Sequence, residues 1–556
     1  MKPALQLGFA LLLMASATAI EAATLWYNVN GYTSTDEGIR SFSTILVGDD
    51  GKVVAIGDDS LRDAHRDARA IDGNGLTMLP GLTDAHAHLY GQGVLETQVD
   101  LAGARSLDEA LKRVRAYAAA NPRKPWILGR GWNQVLWEGE SFPAASDLDA
   151  IVSDRPVWLS RIDGHAAWAN RRALTVAGID RDTADPVGGK IIRDANGDAT
   201  GILIDTAMSY VDEHVPTPTK TDIRDAYRQA NDLLLGLGLT GVHDAGITLE
   251  QAEVLMAMAD DGELELRVSA MLAGAGAALD GFGEPLIAHG DDRLDVRAVK
   301  IYADGALGSR GAAMIEPYSD DPENRGLPFF SQAELNRQVL KANESGFQVA
   351  VHAIGDLGNR MVVEAFANAQ GNEPSPFRNR VEHAQIVALD DIPRFAELGL
   401  IASMQPIHAT SDMNMAEDRV GPERIRGGYA WRKMLDAGVV LASGSDFPVE
   451  LPNPFLGLYA AVTRKDREGL PAGGWYVDQA LTRAEALHSF TLAAAYAGHQ
   501  EDRLGSLEPD KWADFILIDR DYFTIPASEI DDIVVLETWV GGERVYARDE
   551  DSGSEP

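Results

Sequence analysis

The sequence predicts an α/β protein whose main domain is a (β/α)8 barrel of the TIM type, joined to a small β-sandwich built from both chain ends. Eight apolar, strand-like segments between residues 82 and 446 alternate with stretches of helical length, which is the pattern of a parallel barrel. Short alternating strands with turn residues occur near both ends of the chain. The interval between the first two barrel segments is too long for one repeat, which predicts an insertion after the first barrel strand.

The first residues have the pattern of a secretory signal peptide, residues 1–23. Lys2 is the positive start, 4–14 is an apolar stretch, and 17–19 is a small-residue cleavage motif. The apolar stretch is too short to span a bilayer comfortably, and no later segment approaches ~20 continuous apolar residues. We therefore expect a periplasmic or secreted protein that has no stable membrane anchor.

The composition is that of a globular protein and limits its partners and chemistry. The 556 residues are 45% hydrophobic and carry a formal net charge of -36, so nucleic acid is not an expected partner. The chain contains no cysteine, which excludes disulfides and thiolate catalysis. Any metal ion must therefore be bound by His, Asp, Glu or a modified Lys. A small-molecule substrate is the expected partner, and a homo-oligomer is compatible with the sequence.

The small β domain is predicted from alternating strands at the two ends of the chain. The strand-like segments are 24–28, 43–47, 52–57, 513–518, 534–539 and 541–546. The turn at 48–51 joins two of them as a hairpin. We expect residues 24–78 and 500–550 to pair into one sandwich, which would bring the chain ends together around the central domain.

The central domain, residues 79–499, is predicted to be the barrel. Its strand segments are 82–88, 240–244, 266–272, 296–304, 348–352, 380–383, 401–405 and 439–446. His352 and His383 are 31 residues apart, the repeat expected when ~250 residues are shared among eight βα units. His88 and His243 are 155 residues apart, so about residues 100–235 form the insertion. The insertion is rich in tryptophan, which suits a lid or pocket wall over the barrel mouth.

Functional groups of such a barrel lie where the strands end at its C-terminal face. The opening segment ends in His86-Ala87-His88, and strand alternation points both imidazoles to one face. On its own, this pair could be ordinary surface or core histidines. Further metal-binding side chains follow at the ends of later segments, namely Lys300, His352, His383 and Asp446. Four His and one Asp are enough for one or two divalent ions, and their donor atoms favour zinc, with manganese or iron as alternatives.

Lys300 and Asp446 need specific chemistry to serve such a site. The Lys300 ammonium has no lone pair and repels a metal ion, so it is useful only if deprotonated, for instance after CO2 adds to give a carbamate that would bridge two ions. A salt-bridged lysine at a strand end is the alternative. Asp446 can ligate a metal ion, take a proton from the bound water and pass it to a leaving group. Its alternative role is to form the turn before Pro448.

Several other side chains could contact a substrate, although a structural role is the alternative for each. They are Trp132, His165, His243, Arg310 and His408. Glu382 adjoins His383 and is expected to point to the opposite face of its strand, where it would support the site or the fold. The sequence has no Gly-x-Ser-x-Gly nucleophile elbow, and residues 305–308 lack the features of a phosphate loop.

Together, these residues match a known family. The matching stretches are LPGLTDAHAHLYGQG, WLSRIDGHAAWANRRAL, VKIYADGALGSRGA, VHAIGD, RVEHAQ and SGSDFPV, with DGKVVAIGDD and LGSLEPDKWADFILIDRD near the ends. The chain resembles the amidohydrolase superfamily, in particular the branch that includes N-substituted formamide deformylase. The resemblance implies a metal-dependent hydrolase with a barrel and a composite sandwich. It also implies a carboxylated, bridging Lys300 and metal ligation by His86, His88, His352, His383 and Asp446.

The expected function is hydrolysis of a C–N amide bond, as in an N-acyl or N-formyl amine and not an ordinary peptide bond. A metal-activated hydroxide would attack the carbonyl, and Asp446 would act as base and then as acid toward the departing amine. The same site could instead hydrolyse an ester, a lactone or a dipeptide. A non-enzymatic alternative, a periplasmic solute-binding protein, predicts two hinge-linked lobes and no ligand set on successive strands.

Overall fold

Eight parallel strands form a nearly closed barrel in the computed structural model, which describes residues 23–139, 141–161, 166–186 and 189–549. In chain order, the strands are β1 (Leu82–Ala87), β2 (Leu239–Ile247), β3 (Arg267–Ala273), β4 (Leu294–Tyr302), β5 (Gln348–Ala353), β6 (Arg380–His383), β7 (Ile401–Met404) and β8 (Val440–Ser443). Each strand pairs with the next one along the chain. The loop after β8 returns to β1, where the Asp446 N–H donates to the His86 carbonyl at 2.8 Å. The predicted (β/α)8 architecture is thus confirmed.

The barrel strands form because their side chains are mostly apolar and buried on both faces. All four residues of β7 are buried, and so are Val349, Ala350 and Val351 in β5. The helices between and after the strands are Leu249–Asp260, Leu279–Phe282, His289–Asp292, Gln332–Glu344, Asp356–Gln370, Ile392–Glu397, Pro406–Asp412, Ala416–Arg424, Trp431–Asp436, Pro454–Thr463, Arg483–Ser489 and Leu492–Ala497. A short strand, Leu286–Ala288, pairs antiparallel with β4.

Both chain ends contribute to a sandwich of two sheets, as the sequence predicted. One sheet contains Thr24–Tyr27, Thr44–Val47, Val53–Gly57 and Arg69–Asp72. The other contains Asn30–Thr35, Gly38–Phe42, Thr77–Pro80, Phe515–Ile518, Val535–Val540 and Glu543–Ala547. A shared core holds the sheets together, with Trp26, Ile45 and Phe515 buried in it. The strand Thr77–Pro80 leads directly into β1, so the sandwich anchors the start of the barrel.

The insertion between β1 and β2 has a sheet and a core of its own. Its strands are Val99–Asp100, Ile127–Trp132, Val157–Arg161, Ala166–Ala169, Gly189–Arg193 and Ala199–Asp205. Its helices are Leu107–Ala120, Ala145–Asp149, Arg171–Val176 and Ser209–Asp212, and the flanking helices Leu89–Glu96 and Lys220–Gly236 connect it to the barrel.

Trp132 lies inside this core, which corrects the expectation that it contacts substrate. Its side chain is fully buried, and its indole N–H donates to the Leu159 carbonyl at 2.7 Å. The ring packs edge-on against Trp168, with 6.3 Å between the centroids. A tryptophan whose surface and polar atom are both used inside the insertion stabilises that unit.

Two predictions concern residues that the structure does not describe. They are the substrate contact of His165 and the signal peptide, of which residues 1–22 lie outside the described residues. Among the residues that are described, no helix is both long and apolar enough to cross a membrane.

Candidate metal centre

The carboxyl end of β1 supplies two imidazoles to one site. His86 is fully buried, whereas the side chain of His88, just after the strand, is 32% exposed. The two ring centroids are 5.7 Å apart. Both Nε2 atoms face the carboxylate of Asp446, whose Oδ1 is 3.6 Å from His86 Nε2 and 3.2 Å from His88 Nε2. The alternation read from His86-Ala87-His88 therefore does place both rings on one side.

Asp84 holds the loop after β8 against β1 and so positions Asp446. Ser445 donates to Asp84 Oδ2 through its hydroxyl at 2.6 Å and through its N–H at 2.9 Å. The His86 N–H donates to Asp84 Oδ1 at 3.1 Å. Gly444 permits this approach, since a Cβ there would lie 2.4 Å from Asp84 Oδ1. Burial raises the pKa of Asp84 to about 7, although these hydrogen bonds oppose the rise.

Asp446 lies at the centre of two groups of side chains that could bind metal ions. Its backbone is left-handed, with φ 64°, which turns the chain back over the barrel mouth. One group is His86, His88 and Asp446, and the other is His383, His408 and Asp446. In each group the potential ligand atoms lie within 4.8 Å of one another. The Asp446 carboxylate is therefore shared by both groups.

Lys300 and His352 complete the set from β4 and β5. Lys300 Nζ is 3.0 Å from His86 Nε2 and is buried beneath the ring of Tyr302, 4.7 Å from its centroid. Burial lowers the pKa of Lys300 to about 8, which leaves a neutral amine fraction near neutral pH. His352 lies beside His383, with ring centroids 4.5 Å apart, and its Nε2 is 3.6 Å from Asp304 Oδ1.

His383 and Glu382 both reach the site region from the end of β6. His383 has φ 72°, so the alternation of a strand does not continue through it. Its Nδ1 donates to Gln405 Oε1 at 2.8 Å, which leaves the Nε2 lone pair free. The carboxylate of Glu382 accepts from His86 Nδ1. Glu382 thus supports the site through a direct contact with a candidate ligand.

His408 lies beside Asp446, at the centre of the candidate metal site, and not at its edge as expected of a substrate contact. It follows β7 on the helix Pro406–Asp412, and its ring lies nearly parallel to that of His383, 5.9 Å away. Its Nε2 is 3.7 Å from Asp446 Oδ2. Its Nδ1 accepts from Gln385 Nε2 at 3.1 Å, so the ring proton belongs on Nε2. In that form His408 donates toward Asp446 or a substrate oxygen.

The donor chemistry fits a divalent cation. Within the described part of the chain, two buried atoms of candidate ligands that carry a lone pair, His352 Nε2 and Asp446 Oδ1, have no hydrogen-bond partner. Buried polar atoms are normally paired, and a divalent cation is a partner that each of these two atoms could bind. Burial, together with the Lys300 charge, lowers the pKa of His86 to about 4 and that of His352 to about 3.

The carboxylate completes this set of donors. Burial opposes ionisation of Asp446, but its contacts with histidines, His88 first, lower its pKa to about 2. Neutral imidazoles around an ionised carboxylate are the ligands that zinc prefers.

Two weaker candidates lie elsewhere. His243 on β2 is buried and accepts from Arg380 Nη1 through Nδ1 at 2.7 Å. It lines a small cavity with Gly81, which directly precedes β1, and Arg267, the first residue of β3, so it belongs to the barrel floor. Arg310, in the loop after β4, donates to Asp320 at 2.9 and 3.1 Å. The placement of His243 corrects the expectation that it contacts substrate, whereas the substrate contact of Arg310 stays a prediction.

Sequence reasoning missed several contributors, among them Tyr302, Gln385 and Gln405. Tyr302 follows Lys300 by two residues on β4, so period-two alternation could have identified it. Its side chain is 41% exposed and its ring lies 5.4 Å from that of His352. Gln385 and Gln405, which orient the imidazoles of His408 and His383, had no comparable signal because their roles depend on contacts between different strands.

A barrel with a composite sandwich and with this donor set at its C-terminal face defines a metal-dependent hydrolase of the amidohydrolase type. The chain belongs to the Amidohydrolase family, whose sequence profile matches residues 69–546. This membership confirms the resemblance drawn from the sequence motifs.

Individual relatives match nearly the whole chain. The protein YtcJ of Bacillus subtilis (strain 168) is 32% identical over 541 residues, which are 94% of this chain and 99% of YtcJ. N-substituted formamide deformylase of Arthrobacter pascens is 27% identical over 547 residues, covering 94% of this chain and 98% of the deformylase. The crystal structure of an uncharacterized metal-dependent hydrolase from Pyrococcus furiosus superposes with a TM-score of 0.76 at 29% identity, covering 90% of this chain and 100% of that one.

Proposed function

We propose that this protein hydrolyses the C–N amide bond of an N-acyl or N-formyl amine. The observation that carries the proposal is the grouping of His86, His88 and Asp446 at the barrel mouth, where one potential ligand atom of each lies within 4.8 Å of the others. The choice of bond is supported by the similarity to N-substituted formamide deformylase, whose name gives its substrate as a substituted formamide. The alternatives at the same site, esters, lactones and dipeptides, are outcomes of the test below.

The residues that would hold the metal are those whose imidazole nitrogen or carboxylate oxygen has a lone pair at the site. They are His86, His88, His352, His383 and Asp446. A bound divalent ion would supply a Lewis acid for the carbonyl oxygen and would lower the pKa of a bound water molecule to about 7. Zinc is the preferred ion, with one or two per chain.

Lys300 would join this set as a carbamate. Its neutral Nζ adds to the carbon of CO2, which forms an N–C bond and releases one proton. The product is a carboxylate in place of a cation that lies only 3.0 Å from His86 Nε2. The burial that lowers the pKa of Lys300 favours the neutral amine that this reaction needs.

Asp446 would manage the protons of the reaction. Its carboxylate is ionised, nine-tenths or more shielded from solvent, and lies between His88 and His408. It accepts a proton from the attacking water and then donates it to the nitrogen of the departing amine, so that the amine leaves neutral. His408 Nε2–H is placed to orient either the carboxylate or the substrate oxygen.

A substrate panel tests the proposed bond. N-formyl amines, N-acyl amines, lactones, carboxylic esters and dipeptides are assayed with zinc-loaded and manganese-loaded protein. We expect the highest kcat/KM for an N-formyl or N-acyl amine, loss of this activity on chelation, and its return on adding the metal. A lactone, ester or dipeptide preferred at least tenfold over every amide would overturn the proposed bond. Equal activity before and after complete metal removal would overturn the metal-dependent mechanism.

A further inference from the structure

A buried ion pair lies directly beneath the candidate metal centre. Arg380 and Glu382 are both on β6, and neither exposes any measurable surface. Arg380 Nε donates to Glu382 Oε1 at 2.7 Å, and Nη2 donates to Oε2 at 3.2 Å. Such two-pronged contacts fix the plane of a carboxylate as well as its position.

Arg380 is held from four strands at once. Its Nη2 also donates to the Ala85 carbonyl on β1 at 2.7 Å and to Ser403 Oγ on β7 at 2.8 Å. Its Nη1 donates to His243 Nδ1 on β2 at 2.7 Å. The guanidinium therefore has little freedom to rotate or shift, and a lysine could not reproduce this fork of donors.

Glu382 links the fixed guanidinium of Arg380 to His86 in the site. Its Oε2, which already accepts from Arg380, also accepts from His86 Nδ1. A proton held on Nδ1 leaves the Nε2 lone pair free and points it away from Glu382. That atom faces Lys300 Nζ at 3.0 Å and Asp446 Oδ1 at 3.6 Å.

A purely structural role for the ion pair does not explain why Glu382 contacts both Arg380 and His86. Buried ion pairs are weak contributors to stability, because the cost of desolvating both charges offsets much of their attraction. The barrel interior could be filled by apolar side chains of similar volume without that cost. Glu382 instead shares one oxygen between a fixed cation and a candidate metal ligand, as expected of a carboxylate that orients a metal-bound histidine.

We propose that Arg380 and Glu382 are positioning residues, in which Arg380 fixes Glu382 and Glu382 fixes the ring of His86 for binding a divalent cation. The inference rests on the proposed metal site and deepens it. His243 gains a role as well, since its Nδ1 accepts from the same guanidinium and helps to hold it in place.

The test compares metal affinity in two variants with that of the full-length wild-type protein. Glu382→Gln removes the charge but retains an acceptor oxygen. The double variant Arg380→Met, Glu382→Gln removes both charges and leaves no unpaired buried ion, so it guards against failure to fold. Affinities for Zn²⁺ and Co²⁺ are measured by competition with a chromophoric chelator, and the visible spectrum of bound Co²⁺ reports the ligand geometry.

We expect both variants to bind each ion 10- to 100-fold more weakly, the effect typical of losing such a supporting partner, with an altered Co²⁺ spectrum. The matched control is Glu485→Gln, which breaks a glutamate–arginine pair with Arg432 outside the site and should leave both readouts unchanged.

Three results would overturn the inference. The first is a folded variant that has wild-type metal affinity and an unchanged Co²⁺ spectrum. The second is the absence of native circular dichroism in both variants, because the ion pair would then be a requirement of folding. The third is wild-type protein that binds neither ion, and this result would overturn the proposed function as well. A loss of affinity confined to the variants supports the positioning role.

Discussion

Replacing Asp446 by asparagine tests the proton transfer assigned to this side chain. The substitution preserves shape but removes the charge between His88 and His408, whose Nε2 atoms lie 3.2 and 3.7 Å from the carboxylate. The pKa of Asp446, lowered to about 2, keeps it ionised at neutral pH, and an amide has no such basic form. Loss of a positioned base slows hydrolysis by ~10²–10⁴-fold, which corresponds to about 2.7–5.4 kcal/mol of activation free energy.

The assay is kcat for the best amide substrate, with metal content measured on the same preparation. The control is Asp436→Asn, at the end of the helix Trp431–Asp436, where the side chain is 66% exposed and lies before β8 rather than after it. We expect the control to retain wild-type kcat. If Asp446→Asn retains kcat within a few-fold of wild type at full metal content, the base and acid roles assigned to Asp446 are refuted.

Two further substitutions test how the fold supports the site. Trp132→Ala should lower the free energy of unfolding by about 3–5 kcal/mol in chemical denaturation, because it deletes a fully buried ring, while KM stays unchanged. A tenfold rise in KM with unchanged stability would instead mean that Trp132 contacts substrate. Ser445→Ala should cost about 1–3 kcal/mol of stability and lower kcat, because Asp84 loses its 2.6 Å hydroxyl bond and the Asp446 loop loosens. Unchanged kcat in Ser445→Ala would show that this contact does not position Asp446.

The barrel could be predicted from the sequence because its strands are short apolar runs that end in metal-binding side chains. Strand alternation placed His86 and His88 on one face, and Lys300 and His352 were predicted from their positions at the ends of later strands. The eighth strand was predicted to run to 446 but ends at Ser443. Asp446 still reaches the centre, because the left-handed backbone and the Asp84–Ser445 contacts fold the loop inward.

The remaining features depend on contacts between strands that a single sequence does not reveal. The contact of Glu382 with His86 joins residues 296 positions apart. The role of Trp132 was misjudged because a tryptophan-rich insertion was expected to cover the barrel mouth, whereas it first has to fill its own core. His408 was predicted only as a substrate contact, since the helix that brings it to Asp446 starts after β7 has ended.

The most direct test of the central claim is the position of bound metal. Protein loaded with Zn²⁺ is crystallised, and anomalous diffraction is recorded on both sides of the zinc absorption edge. We predict an anomalous peak ~2.0–2.2 Å from side-chain donor atoms of His86, His88 and Asp446. A fully loaded protein whose only zinc peaks lie away from these three residues would contradict the account.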